Sequence, residues 1–169
     1  MEKPSVYLDT NIFSAYWYDG ADVSGLARRL ATREWWETER QHFAVWASAY
    51  TETELRSGKF RRQAECLEMV RRQPYLPMDR ETRSLSDAIL KAGIVPSTKP
   101  GDAVQMAVSA AHQIDYLRTW NYVHLANPIA QERLEALCGK LGLVAPLLVS
   151  PESIPQVRFG QTIRREKRT

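Results

Sequence analysis

The sequence predicts an α/β fold, a three-layer sandwich with a mostly parallel central sheet, and three observations predict it. Short β-compatible runs alternate with longer helix-compatible segments from one end to the other. The first run, Val6 to Leu8, is apolar at every position, as in a central strand covered on both faces. The chain has 169 residues, 44% of them hydrophobic, with no internal repeat and no linker-like stretch, which suits one domain with one core.

The elements follow in order. Val6–Leu8 is the first strand, and Thr10–Trp17 can start a helix with Asp9 or Thr10 at its N-terminus. Asp19-Gly20 signals a turn. Ser24–Thr38 reads as a helix with Leu26, Leu30 and Trp36 inward and Arg28, Arg29, Arg33 and Arg40 outward. "HFAVW" (42–46) is a second strand, after which Ser48 caps a helix over Ala49–Ser57 that stops at Gly58. Phe60–Arg72 is helical, with Cys66, Leu67 and Val70 as its apolar contacts. Tyr75–Met78 carries Pro77, which suits an edge strand. A helix over Arg80–Ala92 is closed by Gly93, and the loop 94–101 contains two prolines. Asp102 begins a helix to about Gln113, with Val104, Ala107, Val108 and Ala111 on one packed face. Asp115–Thr119 is the fourth strand. Pro128 opens a helix ending near Gly139, and Ala145–Val149 is the last strand. The domain is therefore expected over residues 1–150, followed by an irregular basic tail over 151–169.

Composition narrows the functional classes. The net charge of +3 and a pI of about 8.9 permit an anionic partner without demanding one. The two cysteines, Cys66 and Cys138, lie far apart, which argues against a disulfide framework or a structural zinc site and favours a reducing compartment. No apolar stretch approaches the roughly 20 residues of a membrane span, and the N-terminus lacks a signal-peptide pattern. The expectation is a cytoplasmic protein with no membrane association.

Function should lie at the carboxyl ends of the strands, where open parallel sheets bind ligands. Four sequence-distant polar residues fall there: Asp9 after the first strand, Glu54 on the helix after the second, Asp102 on the helix before the fourth, and Asn121 just after the fourth. Each has an ordinary alternative. Asp9 and Asp102 can cap helices, Glu54 can be a solvated helix acid, and Asn121 can be a turn residue. As a set, clustered carboxylates would repel one another unless a cation sat between them, and oxygen-only ligands suit Mg²⁺ or Mn²⁺. Such a site suits phosphodiester hydrolysis.

Four segments then carry a resemblance: "VYLDTNIFSAY" (6–16), "SAYTETELRSG" (48–58), "GDAVQMAVSAAHQIDYLRTWNYVHLAN" (101–127) and "LLVSPESI" (147–154). In order and spacing the chain resembles a PIN domain of the kind found in VapC-type toxins of toxin–antitoxin pairs. The resemblance implies a Rossmann-like sheet and a metal-dependent endoribonuclease. By motif, Asp9, Glu54 and Asp102 match the family's first three acids and are the expected Mg²⁺ or Mn²⁺ ligands. Thr10, Asn11 and Thr119 match residues that orient ligands. The family's frequent fourth acid is replaced by Asn121, which can still offer a carbonyl oxygen but not a charge. The departure gives weight to a non-catalytic RNA- or protein-binding module, beside a housekeeping RNA-processing nuclease, as alternatives to a toxin.

An RNA substrate would need cations near the acids, and Arg56, Lys59, Arg61 and Arg62 follow Glu54 closely. His112 and His124 are expected in structural roles. The resemblance further implies a cognate antitoxin and a homodimer, with the early tryptophans Trp17, Trp35 and Trp36 near the docking region. An exposed aromatic pair there would make an anchor, and at least one of the three should pack in the core.

Overall fold

A computed structural model describes residues 2–152. The first strand, β1 (Ser5–Leu8), leads directly into helix α1 (Thr10–Tyr16). There follow α2 (Val23–Glu34), β2 (Ala44–Ser48), α3 (Ala49–Ser57), α4 (Gln63–Arg71), β3 (Tyr75–Leu76) and α5 (Arg80–Lys91), then α6 (Pro100–Ala111), β4 (Tyr116–Arg118), α7 (Pro128–Lys140) and β5 (Leu147–Val149). All five strands pair in parallel, in the order β3-β2-β1-β4-β5. The order reverses between β1 and β4, so the crevice of this open sheet lies at the carboxyl ends of those two strands.

Strand alternation divides the core into two layers. Tyr7, Leu117 and Leu148 face one way, onto α5, α6 and α7, through Leu85, Ile89, Met106, Ala107 and Leu134. Val6, Leu8, Val45, Ala47, Tyr116 and Val149 face the other way, onto Ile12, Phe13, Leu55, Cys66, Val70 and Trp35. The three-layer α/β architecture expected from the alternating pattern is therefore the observed one, with the sheet parallel throughout. β3 lies at the sheet edge, as Pro77 suggested, and Ser48 caps α3 by accepting from the Thr51 N–H.

Several local expectations need correction. The helix expected over Ser24–Thr38 is regular only to Glu34. It widens into an i→i+5 turn over Trp35–Glu39 and tightens into a 3₁₀ turn over Arg40–His42. The altered pitch buries Trp35, which packs on Phe43, while Leu30 is exposed rather than inward. None of the four arginines points simply into water: Arg28, though exposed, lies 5.6 Å over the Trp120 ring. Arg29 and Arg33 donate to the Tyr18 and Tyr16 carbonyls, and Arg33 and Arg40 lie over the Tyr16 and Trp36 rings. Their aliphatic stems cover aromatic surface that a purely charge-based reading assigns to water. β2 begins at Ala44 rather than His42, and α4 at Gln63 rather than Phe60. Helix α6 starts at Pro100, so Asp102 lies within its first turn instead of opening it.

Arg118 on β4 is fully buried in the second layer, 3.7 Å over the Trp35 ring. Its Nη2 donates to the Pro151 carbonyl at 3.0 Å, and burial pulls its pKa down to about 8. The basic tail expected over 151–169 lies outside the described residues, save Pro151 and Glu152. Among the described residues no helix is long and apolar enough to cross a membrane.

Candidate functional site

Asp9 stands at the end of β1, on the crevice between β1 and β4. Its backbone occupies the N-cap position of α1, yet its side chain makes no capping hydrogen bond. The carboxylate turns across the crevice instead. Oδ2 accepts from Thr119 Oγ1 at 2.6 Å and from Asn11 Nδ2 at 2.9 Å, and Oδ1 accepts from Gln105 Nε2 at 3.3 Å. Asn11 also donates to Thr119 Oγ1 and accepts from the Trp120 N–H, which ties α1 to the end of β4. The ordinary capping role is thus absent for Asp9.

Ser48, Thr51 and Glu54 share one face of α3, spaced three residues apart. The face points Glu54 at the β1 end, where Glu54 Oε2 accepts from Thr10 Oγ1 at 2.5 Å and from Gln105 Nε2 at 2.9 Å. The other oxygen, Oε1, faces the first turn of α6. A Cβ on Gly101 there would stand 3.1 Å from it and would collide with the Tyr50 hydroxyl oxygen. Glycine before Asp102 therefore leaves room for the Tyr50 hydroxyl and Glu54 Oε1, which a Cβ would displace. Burial pushes the Tyr50 hydroxyl up to about 12, and the neighbouring Glu54 charge and hydrogen bond add to it.

Asp102 completes the set from α6, with Oδ2 accepting from Asn121 Nδ2 at 3.2 Å. The Asn121 carbonyl oxygen, expected to face the site, instead accepts the His124 N–H at 3.0 Å and shapes the turn after β4. Asn121 serves the turn with one end and the acid with the other, because its short amide reaches both. His112 is structural: its Nε2 lies 2.8 Å from the Pro77 carbonyl.

The electrostatics mark this as a strained cluster. Asp9 is 6% exposed, and desolvation, reinforced by Glu54 and Asp102, pushes its carboxyl up to about 7 against the hydrogen bonds from Thr119 and Asn11. Asp102 is also raised by burial, with His124, Asn121 and Lys99 opposing. The oxygens available to a ligand are carboxylate and hydroxyl, the chemistry that suits a hard divalent cation, while the amides of Asn11, Gln105 and Asn121 turn their nitrogens to the acids. As the side chains stand, no three of the described His, Cys, Asp and Glu residues are arranged to hold an ion. Asp9 and Glu54 are bridged by neutral donors, and Asp102 stands apart beside Asn121.

The cationic group is less free than its sequence suggests. Arg56 pairs with Glu52 at 2.6 Å, Arg62 with Glu65 at 2.8 Å, and Arg61 and Arg62 share Asp19 at 3.4 Å; Lys59 is exposed. Of the early tryptophans, Trp35 is buried, while Trp17 and Trp36 are half-exposed and line a shallow cavity with Tyr16 and Met69.

Gln105 is the site residue that sequence reasoning missed. It lies in the apolar run "AVQMAVSAA", three residues and nearly one turn after Asp102. A lone amide in an otherwise apolar or small-residue helix was the available signal. The expected face of Val104, Ala107, Val108 and Ala111 is only part of what α6 buries, since burial extends over Ala103 and residues 105–110. Compared with known proteins, the chain matches no family model and no curated relative.

Proposed function

We propose that this protein is an Mg²⁺- or Mn²⁺-dependent endoribonuclease that hydrolyses RNA phosphodiester bonds, acting as the toxin of a toxin–antitoxin pair. One observation carries the enzymatic part: a carboxylate at the sheet's crevice, declining its capping role, is raised chiefly by burial and further by two carboxylates from distant helices. A fold that concentrates uncompensated negative charge gains most from a cation.

Asp9, Glu54 and Asp102 would hold the ion. When bound, it would supply charge neutralisation at the scissile phosphate and a more acidic water. Thr119 and Asn11 orient Asp9, and Thr10 orients Glu54. Glu54 Oε1 carries neither the Thr10 nor the Gln105 hydrogen bond and can take a proton from an attacking water. The surface ion pairs of Arg56, Arg61 and Arg62 are worth little in water, so an RNA phosphate can displace the acids. An antitoxin segment would use the half-exposed Trp17 and Trp36 as its anchor, and a homodimer follows from the same motif resemblance.

The test is cleavage of total RNA with Mg²⁺ or Mn²⁺ and with chelator. Wild type should cut only with metal, and Asp102→Ala should lose at least 100-fold, in the range typical for removing a charge-stabilising group. Equal cutting by both, or cutting in chelator, overturns the assignment. A second reading, a binding module without catalysis, is favoured by the amide at Asn121. It predicts RNA binding without cleavage and without stabilisation by Mn²⁺.

A further inference from the structure

We propose that Gln105 is a positioning residue of this centre, held by Tyr7 so that one amide nitrogen keeps Asp9 and Glu54 together. The inference rests on the metal-centre reading above and adds a residue that the motif resemblance does not include.

The orientation of the amide is set by a buried chain of hydroxyls. Tyr7 is fully buried, and its hydroxyl has three polar neighbours: Ser48 Oγ at 2.8 Å, Thr51 Oγ1 at 3.1 Å and Gln105 Oε1 at 2.6 Å. A phenol has one proton to give. The Gln105 carbonyl oxygen can only accept, so Tyr7 donates to it, and Ser48 or Thr51 donates to Tyr7. The amide nitrogen must then point away from Tyr7. There it meets Glu54 Oε2 at 2.9 Å, Thr10 Oγ1 at 3.1 Å and Asp9 Oδ1 at 3.3 Å. Turned over, the amide would set its oxygen against two carboxylates and its N–H groups against a hydroxyl already engaged.

This geometry does more than satisfy a buried amide. Gln105 is 1% exposed on a helix whose buried neighbours are Ala103, Met106, Ala107 and Val108, so its amide is buried at a cost that its hydrogen bonds must offset. The amide spans two acids that come from different elements and repel one another. By donating to one oxygen of each, it limits their separation while leaving Glu54 Oε1 uncommitted to it. Partners of this kind around a metal centre typically contribute 10–100-fold in metal affinity.

The experiment is calorimetric titration of Mn²⁺ into wild type, Gln105→Leu, Tyr7→Phe and Asp9→Asn, with thermal melting in chelator alongside. Gln105→Leu should bind Mn²⁺ about 10–100-fold more weakly. Tyr7→Phe removes only the oxygen that orients the amide, and it should weaken Mn²⁺ in the same direction by a smaller factor. A purely structural role would lower the melting temperature in chelator and leave the Mn²⁺ affinity of the folded variants at the wild-type value, which overturns the proposal. If Gln105→Leu does not fold, Tyr7→Phe decides by the same criterion. Failure of wild type to bind Mn²⁺ overturns the metal-centre reading together with the inference. Wild-type binding that Asp9→Asn abolishes and Gln105→Leu leaves intact overturns the inference alone.

Discussion

At the scale of the residue, Asp9 is the side chain whose behaviour the fold alters most. An aspartate in the unfolded chain has a pKa near 3.8, whereas burial and two neighbouring acids move Asp9 up to about 7. Between those values the folded state binds more protons than the unfolded one. The contribution of Asp9 to stability is therefore most favourable below about pH 4 and is lost as pH rises through about 7, by the linkage relation. Without metal, Asp9→Asn should raise the melting temperature relative to wild type at pH 8 and raise it by clearly less at pH 5, where the loss is only partial. Differential scanning in chelator at the two pH values checks this; equal shifts at both would mean that Asp9 is not raised. Mn²⁺ at pH 8 should restore wild-type stability, by about 2.7 kcal/mol at 100 times its dissociation constant, and should do less for the variant.

At the scale of the element, the first turn of α6 is the tightest constraint. Pro100 sets the helix start, Gly101 lets it approach Tyr50 and Glu54, and Asp102 follows into the site. Gly101→Ala gains helix propensity of roughly 1 kcal/mol, so a surface glycine would be stabilised by it. Here the added methyl displaces the Tyr50 hydroxyl and crowds Glu54 Oε1. The expected result is a fold of near wild-type stability, in which the two effects offset, with RNA cleavage reduced at least tenfold. Activity at the wild-type level would show that the α3–α6 approach does not matter to the chemistry. Helix boundaries were legible where capping chemistry is local, as at Ser48. They were missed at Trp35–Glu39, where burying a tryptophan against Phe43 outweighs regular helix pitch.

At the scale of the whole molecule, charge governs the approach of a polyanion. Arg56, Lys59, Arg61 and Arg62 follow Glu54 in sequence, and three of them are held in exposed ion pairs that, on the proposed function, RNA phosphates would exchange. In an Asp102→Ala background, reversing Arg61 and Arg62 to glutamate should reduce the slope of log affinity against log salt by at least about 1, since each single-strand phosphate contact contributes roughly 0.7. Fluorescence anisotropy with a labelled single-stranded RNA measures it, and an unchanged slope would remove these residues from the interface.

The sequence by itself determined the alternation of strand and helix, the edge position of the short strand that Pro77 follows and the placement of Asp9 at a strand end. These depend on periodicity, turn chemistry and capping, which act over a few residues. Only the tertiary structure decided that Asp9 abandons its cap for Thr119, that the Asn121 oxygen belongs to its own turn, and that Gln105 bridges two acids from separate elements. The Asn121 turn is local, and the sequence already offered it as an alternative; the other two outcomes depend on which side chains meet across about 50 to 110 residues of chain. No local pattern encodes such a meeting; the strand order that sets β1 beside β4 does.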